Sequence, residues 1–280
     1  MQKIITIDTL QKHKEEGRKI TALTAYDYST GKFLDEAGID LILVGDSLAM
    51  VALGHKTTHV ITMDEMIHHT KAVTRGVEKS LVVADMPFMS YQTDENTAIN
   101  NAGRFIKEAS ANAVKLEGSS DHIINVVKRC TEAGIPVMGH LGFTPQYLHT
   151  LSGYRIQGKS LEATKIILEQ AKKLEEAGAF AVVLEMVPEE SAKLITNNLR
   201  IPTIGIGAGR YCSGQILVTD DILGKYSDFT PKFARKYLDL ASLLKQAFTE
   251  YKKDVISGNF PAESEIFNLS QEEKERLKDA

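Results

Sequence analysis

Cysteine is almost missing from this sequence: of 280 residues only Cys130 and Cys212 carry a thiol, far apart and outside any CxxC pattern. Two such residues provide neither a disulfide framework nor a structural zinc site, and they point to a reducing compartment. Long apolar runs are also missing. The longest have five or six residues, far short of a membrane span. The opening stretch MQKIITIDTLQKHKEEGRKI has no apolar segment of the kind a secretion signal carries. A strong charge of either sign is lacking too. The net charge of −4 creates no global field toward nucleic acid or an anionic membrane. The expectation is a soluble cytoplasmic protein with small-molecule substrates and no nucleic-acid or membrane partner. Hydrophobic content of 43% and charged content of 25% are ordinary for a globular chain and exclude disorder. The length suffices to bury a core, as one large domain or two small ones.

One short phrase recurs: DEAGID at 35–40, TEAGIP at 131–136 and EEAGAF at 175–180. Each reads as a helix end, a glycine stop and entry into a strand, because glycine takes the left-handed conformation without Cβ strain. Apolar runs follow each stop, and similar runs occur elsewhere. Together they give eight candidate strands within 20–27, 40–46, 80–87, 112–118, 136–142, 179–185, 201–209 and 214–221. Their continuous apolarity suits strands buried on both faces, as in parallel sheets. Helical patterns lie between several of them. Thr62-Met63-Asp64-Glu65 fits a capping box opening a helix to about Arg75. Ala98, Ala102, Phe105, Ile106 and Ala109 form one helical stripe, and Ile167, Leu168, Ala171, Leu174 and Ala177 another. This α/β alternation predicts a (β/α)8 TIM barrel filling 1–280 as a single domain, with an N-terminal helix and a C-terminal helical extension over about 231–280. A doubly wound open sheet is the alternative. The segment between the seventh and eighth strands is too short for a full helix.

Polar residues fall where the strands stop. The second strand ends in Asp46-Ser47, the third in Asp85, the fourth in Lys115-Leu116-Glu117, the fifth in His140 and the sixth in Glu185. In a barrel these ends face one another across the top, where sites of this fold lie. Capping explains one or two such residues. Five consecutive strands ending in ionisable groups, mostly acidic, predict a cation among them. All-oxygen donors without cysteine favour a hard cation, and Mg²⁺ takes one or two protein carboxylates while keeping positions for water and substrate. Asp46 and Asp85 are the expected direct ligands, with Glu117 bound directly or through a water. Lys115 shares a face with Glu117 by strand alternation and is placed to hold a substrate carboxylate. Its structural alternative is a salt bridge to a neighbouring acid. Glu185 follows the apolar run Ala179 to Leu184, which predicts the least solvated position in the site and the role of general base. Its alternative is an acid at a helix start. His140 reads as a hydrogen-bonded neighbour of the ligands, and Tyr26 and Asp27 as further neighbours. His55, His59, His68 and His69 show no metal spacing, and His68-His69 reads as a solvated helix face. GIGAG at 205–209 lacks the last glycine of GxGxxG, so tight backbone passage is favoured over a dinucleotide site. The irregular stretch 140–160 is long enough to suggest a function such as a lid.

The segments GDSLAMVALGHKTTHVITMDEMIHHT, ADMPFMSY, AVKLEG, PVMGHLGFTPQ, GYRIQG, VLEMVP, IPTIGIGAG, GQILV and DFTPKFARKY occur in order over about 20–240. Together they resemble the ketopantoate hydroxymethyltransferase family. The resemblance implies a barrel of the phosphoenolpyruvate/pyruvate superfamily type, Mg²⁺, a step in pantothenate biosynthesis and a homodecamer of two pentameric rings. It implies that Asp46 and Asp85 are metal ligands with Glu117 at or beside the metal, that Ser47, Asp85, Lys115 and also Asp46 contact the substrate, and that Glu185 is the catalytic base. The implied reaction is an aldol-type transfer in which 5,10-methylenetetrahydrofolate gives one carbon to 3-methyl-2-oxobutanoate, forming 2-dehydropantoate through a Mg²⁺-stabilised enolate. The chain departs from the family pattern at Asp220-Asp221, where the family often has His-Asp, and at Glu117-Gly118-Ser119, where it often has Glu-Gly-Gly. Two other readings remain: a Mg²⁺-dependent 2-oxo-acid lyase or mutase, and a non-catalytic metal- or ligand-binding barrel.

Overall fold

Eight parallel strands pair in sequence order and the last pairs with the first, closing a barrel. The open-sheet alternative is thereby excluded. The computed structural model describes residues 4–225 and 231–279. In chain order the elements are α1 (Ile7–Glu15), β1 (Ile20–Thr24), α2 (Tyr28–Glu36), β2 (Leu41–Val44), α3 (Leu48–Val51), α4 (Met63–Thr74), β3 (Leu81–Asp85) and α5 (Glu95–Ala109). They continue with β4 (Ala113–Glu117), α6 (Asp121–Glu132), β5 (Val137–Gly142), α7 (Leu161–Glu176), β6 (Ala181–Glu185), α8 (Glu189–Asn197), β7 (Thr203–Ile206), β8 (Gly214–Leu217) and α9 (Thr219–Leu223). Two further helices, α10 (Leu240–Ser257) and α11 (Gln271–Lys278), follow the barrel.

The continuous apolarity of the strands serves two cores. Alternate residues Leu41, Leu43, Leu81, Val83, Ala113, Met138, Ala181, Val183 and Ile204 point into the barrel and form one buried cluster. Their neighbours Ile42, Val44, Val82, Ala84, Val114, Leu116, Val182 and Leu184 point outward against the helices. Leu10 of α1 is fully buried in the interior cluster with Ile20, Leu41 and Leu81, so α1 plugs the end where the strands begin. The helices start on polar caps. Thr62 completes the expected capping box with Glu65, and Ser120 and Ser160 accept from the third helical N–H of α6 and α7. Asp27, expected near the site, instead caps α2. It is exposed and accepts the Thr30 N–H at 2.9 Å.

The C-terminal extension differs from its expected bounds. Residues 231–239 are not helical, and α10 begins at Leu240 because the Asp239 carboxylate caps it through the Ser242 N–H. The expected polar tail contains a short 3-10 turn at Glu263–Glu265 and then α11. None of the residues of α10 or α11 is buried within the single chain. The quoted segment DFTPKFARKY begins among residues 226–230, which lie outside the described part.

Candidate active site

Inward alternation carries the polar residues to the C-terminal mouth. Lys115 and Glu117 continue the interior row of β4, Asp85 that of β3, His140 that of β5 and Glu185 that of β6. All five line one cavity of about 200 Å³ with Asp46 and Ser47. Gly45 occupies the next inward position after Leu43. A Cβ there would lie 2.9 Å from Ser47 Oγ and 3.4 Å from Asp85 Oδ2, so glycine leaves the room in which these polar groups meet. The Asp46 N–H donates to Asp85 Oδ2 at 3.0 Å.

Lys115 Nζ stands 2.6 Å from Asp85 Oδ1 and 3.8 Å from Glu117 Oε1. The salt bridge considered as its structural alternative is therefore present. It joins the proposed ligands rather than removing Lys115 from the site. His140 lies between two acids, with Nδ1 3.3 Å from Glu117 Oε1 and Nε2 3.2 Å from Glu185 Oε2, neither in hydrogen-bond alignment, and Nδ1 meets Lys115 Nζ at 3.4 Å. Tyr26 is buried, and its hydroxyl meets Ser47 Oγ at 2.9 Å.

The expectation for Glu185 is corrected in one respect. Its side chain is 15% exposed, whereas those of Glu117 and Asp85 are 1% and 3% exposed. The apolar run before it is buried because strand residues fill both cores, but Glu185 is the last residue of β6 and sits at the mouth. The least solvated carboxylates are those of Asp85 and Glu117.

These burials set the electrostatics. Burial, and then the Asp85 and Glu117 charges, push Asp46 up to about 8 despite the Lys115 ammonium. Burial also raises Asp85, and Lys115 opposes it. Glu117 is lowered despite its burial, because His140, Lys115 and the Gln146 N–H favour its anion. Burial and the Lys115 ammonium oppose the charging of His140, yet the Glu117 and Glu185 carboxylates prevail and raise it to about 9. The carboxylates around His140 thus favour its imidazolium form, and burial beside Asp85 and Glu117 favours the neutral acid at Asp46. This all-oxygen donor set suits a hard divalent cation. Among the described residues no group of three or more His, Cys, Asp or Glu forms a ready metal cage. The pair Asp46 and Asp85 agrees with the few protein ligands that Mg²⁺ takes. Glu117 already has Oε2 on the Gln146 N–H and Oε1 beside His140.

Gln146 is the residue that sequence reasoning missed. It lies in the 3-10 turn Pro145–Tyr147, within the irregular stretch suspected of a function, and is 3% exposed. Its Nε2 donates to Asp46 Oδ2 and the Met86 carbonyl, each at 3.0 Å. Its Oε1 accepts from the Tyr91 hydroxyl at 2.7 Å and Gln92 Nε2 at 3.0 Å. Tyr91 OH in turn accepts the Glu117 N–H at 3.0 Å. Phe143, Pro145, Leu148 and Tyr154 of the same stretch line the cavity.

Other histidines divide. His69, expected on a solvated face, reaches the Tyr26 carbonyl through Nδ1 at 2.7 Å, while His68 is exposed. His59 Nε2 meets the Gln146 carbonyl at 2.9 Å. In GIGAG, a Cβ on Gly205 would lie 2.9 Å from Cys212 Sγ, which bears out tight backbone passage. At the other departure, Asp220 pairs with Lys225 at 3.1 Å, and Asp221 lines the cavity.

A sequence profile described as ketopantoate hydroxymethyltransferase matches residues 4–263. The chain belongs to the ketopantoate hydroxymethyltransferase family. The 3-methyl-2-oxobutanoate hydroxymethyltransferase of Clostridium novyi is 53% identical over 272 residues, 97% of this chain and 98% of that protein. The enzyme of the same name from Enterococcus faecalis is also 53% identical, over 97% of this chain and 98% of its own length. Among solved structures, phosphonopyruvate hydrolase aligns with a TM-score of 0.61 at 12% identity, covering 99% of this chain and 96% of that one. A 2,3-dimethylmalate lyase, a PEP mutase/isocitrate lyase superfamily member, aligns at 0.60 with 13% identity, covering 99% of both chains. At such identities these structures bear on the fold alone, and they agree with the family's barrel. No helix among the described residues is long and apolar enough to cross a membrane.

Proposed function

We infer that this chain transfers a hydroxymethyl group from 5,10-methylenetetrahydrofolate to 3-methyl-2-oxobutanoate, giving 2-dehydropantoate for pantothenate biosynthesis. The observation that carries the reading is the juxtaposition of Glu185 with His140, 3.2 Å apart at the edge of the buried Asp46, Asp85, Lys115 and Glu117 cluster. A 2-oxo acid needs positive charge at its carboxylate and keto oxygens and a base beside C3, and this arrangement supplies both kinds of group.

Asp46 and Asp85 would hold Mg²⁺, with Glu117 joining through a water, and the bound ion would supply positive charge where the keto oxygen gains negative charge. The Lys115 ammonium holds the substrate carboxylate at the floor of the site. The Ser47 hydroxyl, fixed by Tyr26, donates to the same substrate. Glu185 Oε2 takes the C3 proton, a step to which a positioned base contributes about 10²- to 10⁴-fold. His140 lies against Glu117 and Glu185 and places positive charge beside the base. Phe143 and Leu148 keep water from the reactive carbon.

Deuterium wash-in at C3 of 3-methyl-2-oxobutanoate, followed by NMR with and without the folate donor, tests the reading. Exchange without donor and 2-dehydropantoate formation only with donor are expected. Carbon–carbon cleavage without folate would instead support the lyase reading, and neither activity would support a binding barrel. We further propose a cytoplasmic homodecamer. Two buried free thiols support a reducing compartment, and the exposed Phe248, Tyr251 and Ile256 of α10 support burial of that helix in an assembly. Light scattering that returns a monomer would refute the assembly.

A further inference from the structure

The cavity has two unlike sides. The arc from β2 to β5 carries Asp46, Asp85, Lys115, Glu117 and His140. In the closed order of eight strands, β8 stands opposite β4. There the wall is apolar, formed by Ile206, Leu217, Val218 and Phe233. Phe233 is seated on the backbone of Gly207. A Cβ at that glycine, whose φ is +61°, would lie 2.7 Å from the ring.

Among the described residues, one carboxylate interrupts this wall. Asp221 lies in α9 just past β8 and is 7% exposed. Its neighbour Asp220 is neutralised by Lys225, but no hydrogen bond or close ion pair reaches the Asp221 carboxylate among the described residues. Burial, then Asp220, push it up to about 6, and Lys236 only partly offsets them, so it is largely ionised at neutral pH. The side chain is mostly buried, yet its carboxylate lines the cavity and stays open to it.

We propose that Asp221 anchors the 2-amino-4-oxopyrimidine edge of the reduced pterin donor, against a wall formed by Val218 and Phe233. The inference rests on the folate donor of the preceding section and adds where that donor binds. A reduced pterin is a bicycle whose pyrimidine edge presents two parallel donors, N3–H and the 2-amino group. A carboxylate with two free oxygens is their direct complement, and apolar walls with few polar groups suit the ring faces. The orientation also follows. N5, which carries the one-carbon unit, lies on the side of the bicycle away from the 2-amino group. A ring held at Asp221 therefore turns its transferable carbon toward the β2–β5 arc, where the keto acid is activated.

Calorimetry on the full chain with tetrahydrofolate and with its 2-deamino analogue tests this, comparing the unaltered protein with Asp221→Asn and Asp221→Ala. Kd for 3-methyl-2-oxobutanoate is measured alongside. In the unaltered protein the 2-deamino analogue is expected to bind about tenfold or more weakly than tetrahydrofolate. In both variants tetrahydrofolate should weaken by about the same factor and the discrimination should vanish. Unchanged tetrahydrofolate affinity in the variants, or discrimination that survives them, overturns the assignment of Asp221 alone. Equal loss of keto acid and tetrahydrofolate binding also overturns it, because it indicates a collapsed site. Failure of the unaltered protein to bind tetrahydrofolate overturns the folate reading itself.

Discussion

Gln146 and Asp46, a hundred positions apart, are joined by a 3.0 Å hydrogen bond from the amide Nε2 to Oδ2. The Met86 carbonyl faces the same nitrogen, so the amide orientation is fixed: the group meeting an unambiguous acceptor must be the NH₂. Gln146 thereby ties the stretch after β5 to the acid after β2, and its backbone N–H ties both to Glu117. Gln146→Leu keeps bulk but leaves the Met86 carbonyl without its side-chain donor and the Tyr91 hydroxyl without its closest acceptor. It should cost about 1–3 kcal/mol of stability and weaken Mg²⁺ binding by about tenfold, as an outer ligand contact does. Asp46→Ala should abolish Mg²⁺ binding in the same calorimeter while leaving the fold intact. Unchanged Mg²⁺ affinity in both variants would remove the cation from this site.

Lys115 permits a sharper separation of roles. Its ammonium is buried 2.6 Å from Asp85, so Lys115→Met strands buried negative charge and should destabilise the protein by about 3–5 kcal/mol. Pairing that change with Asp85→Asn removes the stranded partner and should restore much of the stability seen in urea titrations. Because Asp85 is itself a proposed metal ligand, the lost grip on the keto acid carboxylate should show as weaker keto acid binding in the double variant than in Asp85→Asn alone. Recovery of both properties together would reduce Lys115 to a structural ion pair.

Asp35 gives the pH dependence that can be read most directly. Oδ1 accepts the Lys79 and Ser80 N–H groups and the Ser80 hydroxyl, and Oδ2 accepts the Glu78 N–H, tying α2 to the entry of β3. Burial favours the neutral acid, but these hydrogen bonds prevail and lower its pKa. The unfolded chain therefore takes up this proton more readily than the folded one. The stabilisation is complete above the ordinary carboxylate pKa of about 3.9 and disappears as pH falls through the lower folded value. Urea midpoints measured below about pH 5 should show a shallower acid slope in Asp35→Asn than in the unaltered protein. Equal slopes would assign the acid limb to other groups.

The barrel was legible because two-sided burial leaves unbroken apolar runs and because three helices stop on a glycine, at Gly38, Gly134 and Gly178. Asp46, Asp85, Lys115, Glu117 and His140 were legible for a related reason: ionisable residues ending such runs have no structural need to be there. Gln146 was not legible. A neutral amide in an irregular stretch differs from any other loop polar residue until the fold brings it under Asp46. Asp27 misled because a cap and a site acid look alike beside a strand end. The start of α10 was misplaced because Pro231 to Leu238 have helix-compatible composition, while the Asp239 cap is a single side-chain contact. The solvation of Glu185 was misjudged because a run of neighbours reports the strand, not its last residue.

Glu185 remains the residue on which the chemistry turns. Its exposure at the mouth leaves it reachable by a substrate held on the floor, and the carboxylates around His140 favour the charged form of that neighbour. Glu185→Gln keeps shape and hydrogen bonding but accepts no proton. It should retain Mg²⁺ and keto acid binding in calorimetry, yet lose C3 deuterium exchange by about 10²-fold or more. His140→Gln should give a smaller loss, because it removes the positive charge beside the base rather than the base. Substrate held by Lys115 and Ser47 would still present C3 to Glu185. Near-normal exchange in Glu185→Gln, with a larger loss in His140→Gln, would reverse the two roles and make His140 the group that moves the proton. That outcome would also demand a neutral imidazole. The exchange rate of the Glu185→Gln protein should then rise with pH as His140 gives up its charge, and at lower pH than in the unaltered protein, because the Glu185 carboxylate that helps to raise His140 is gone.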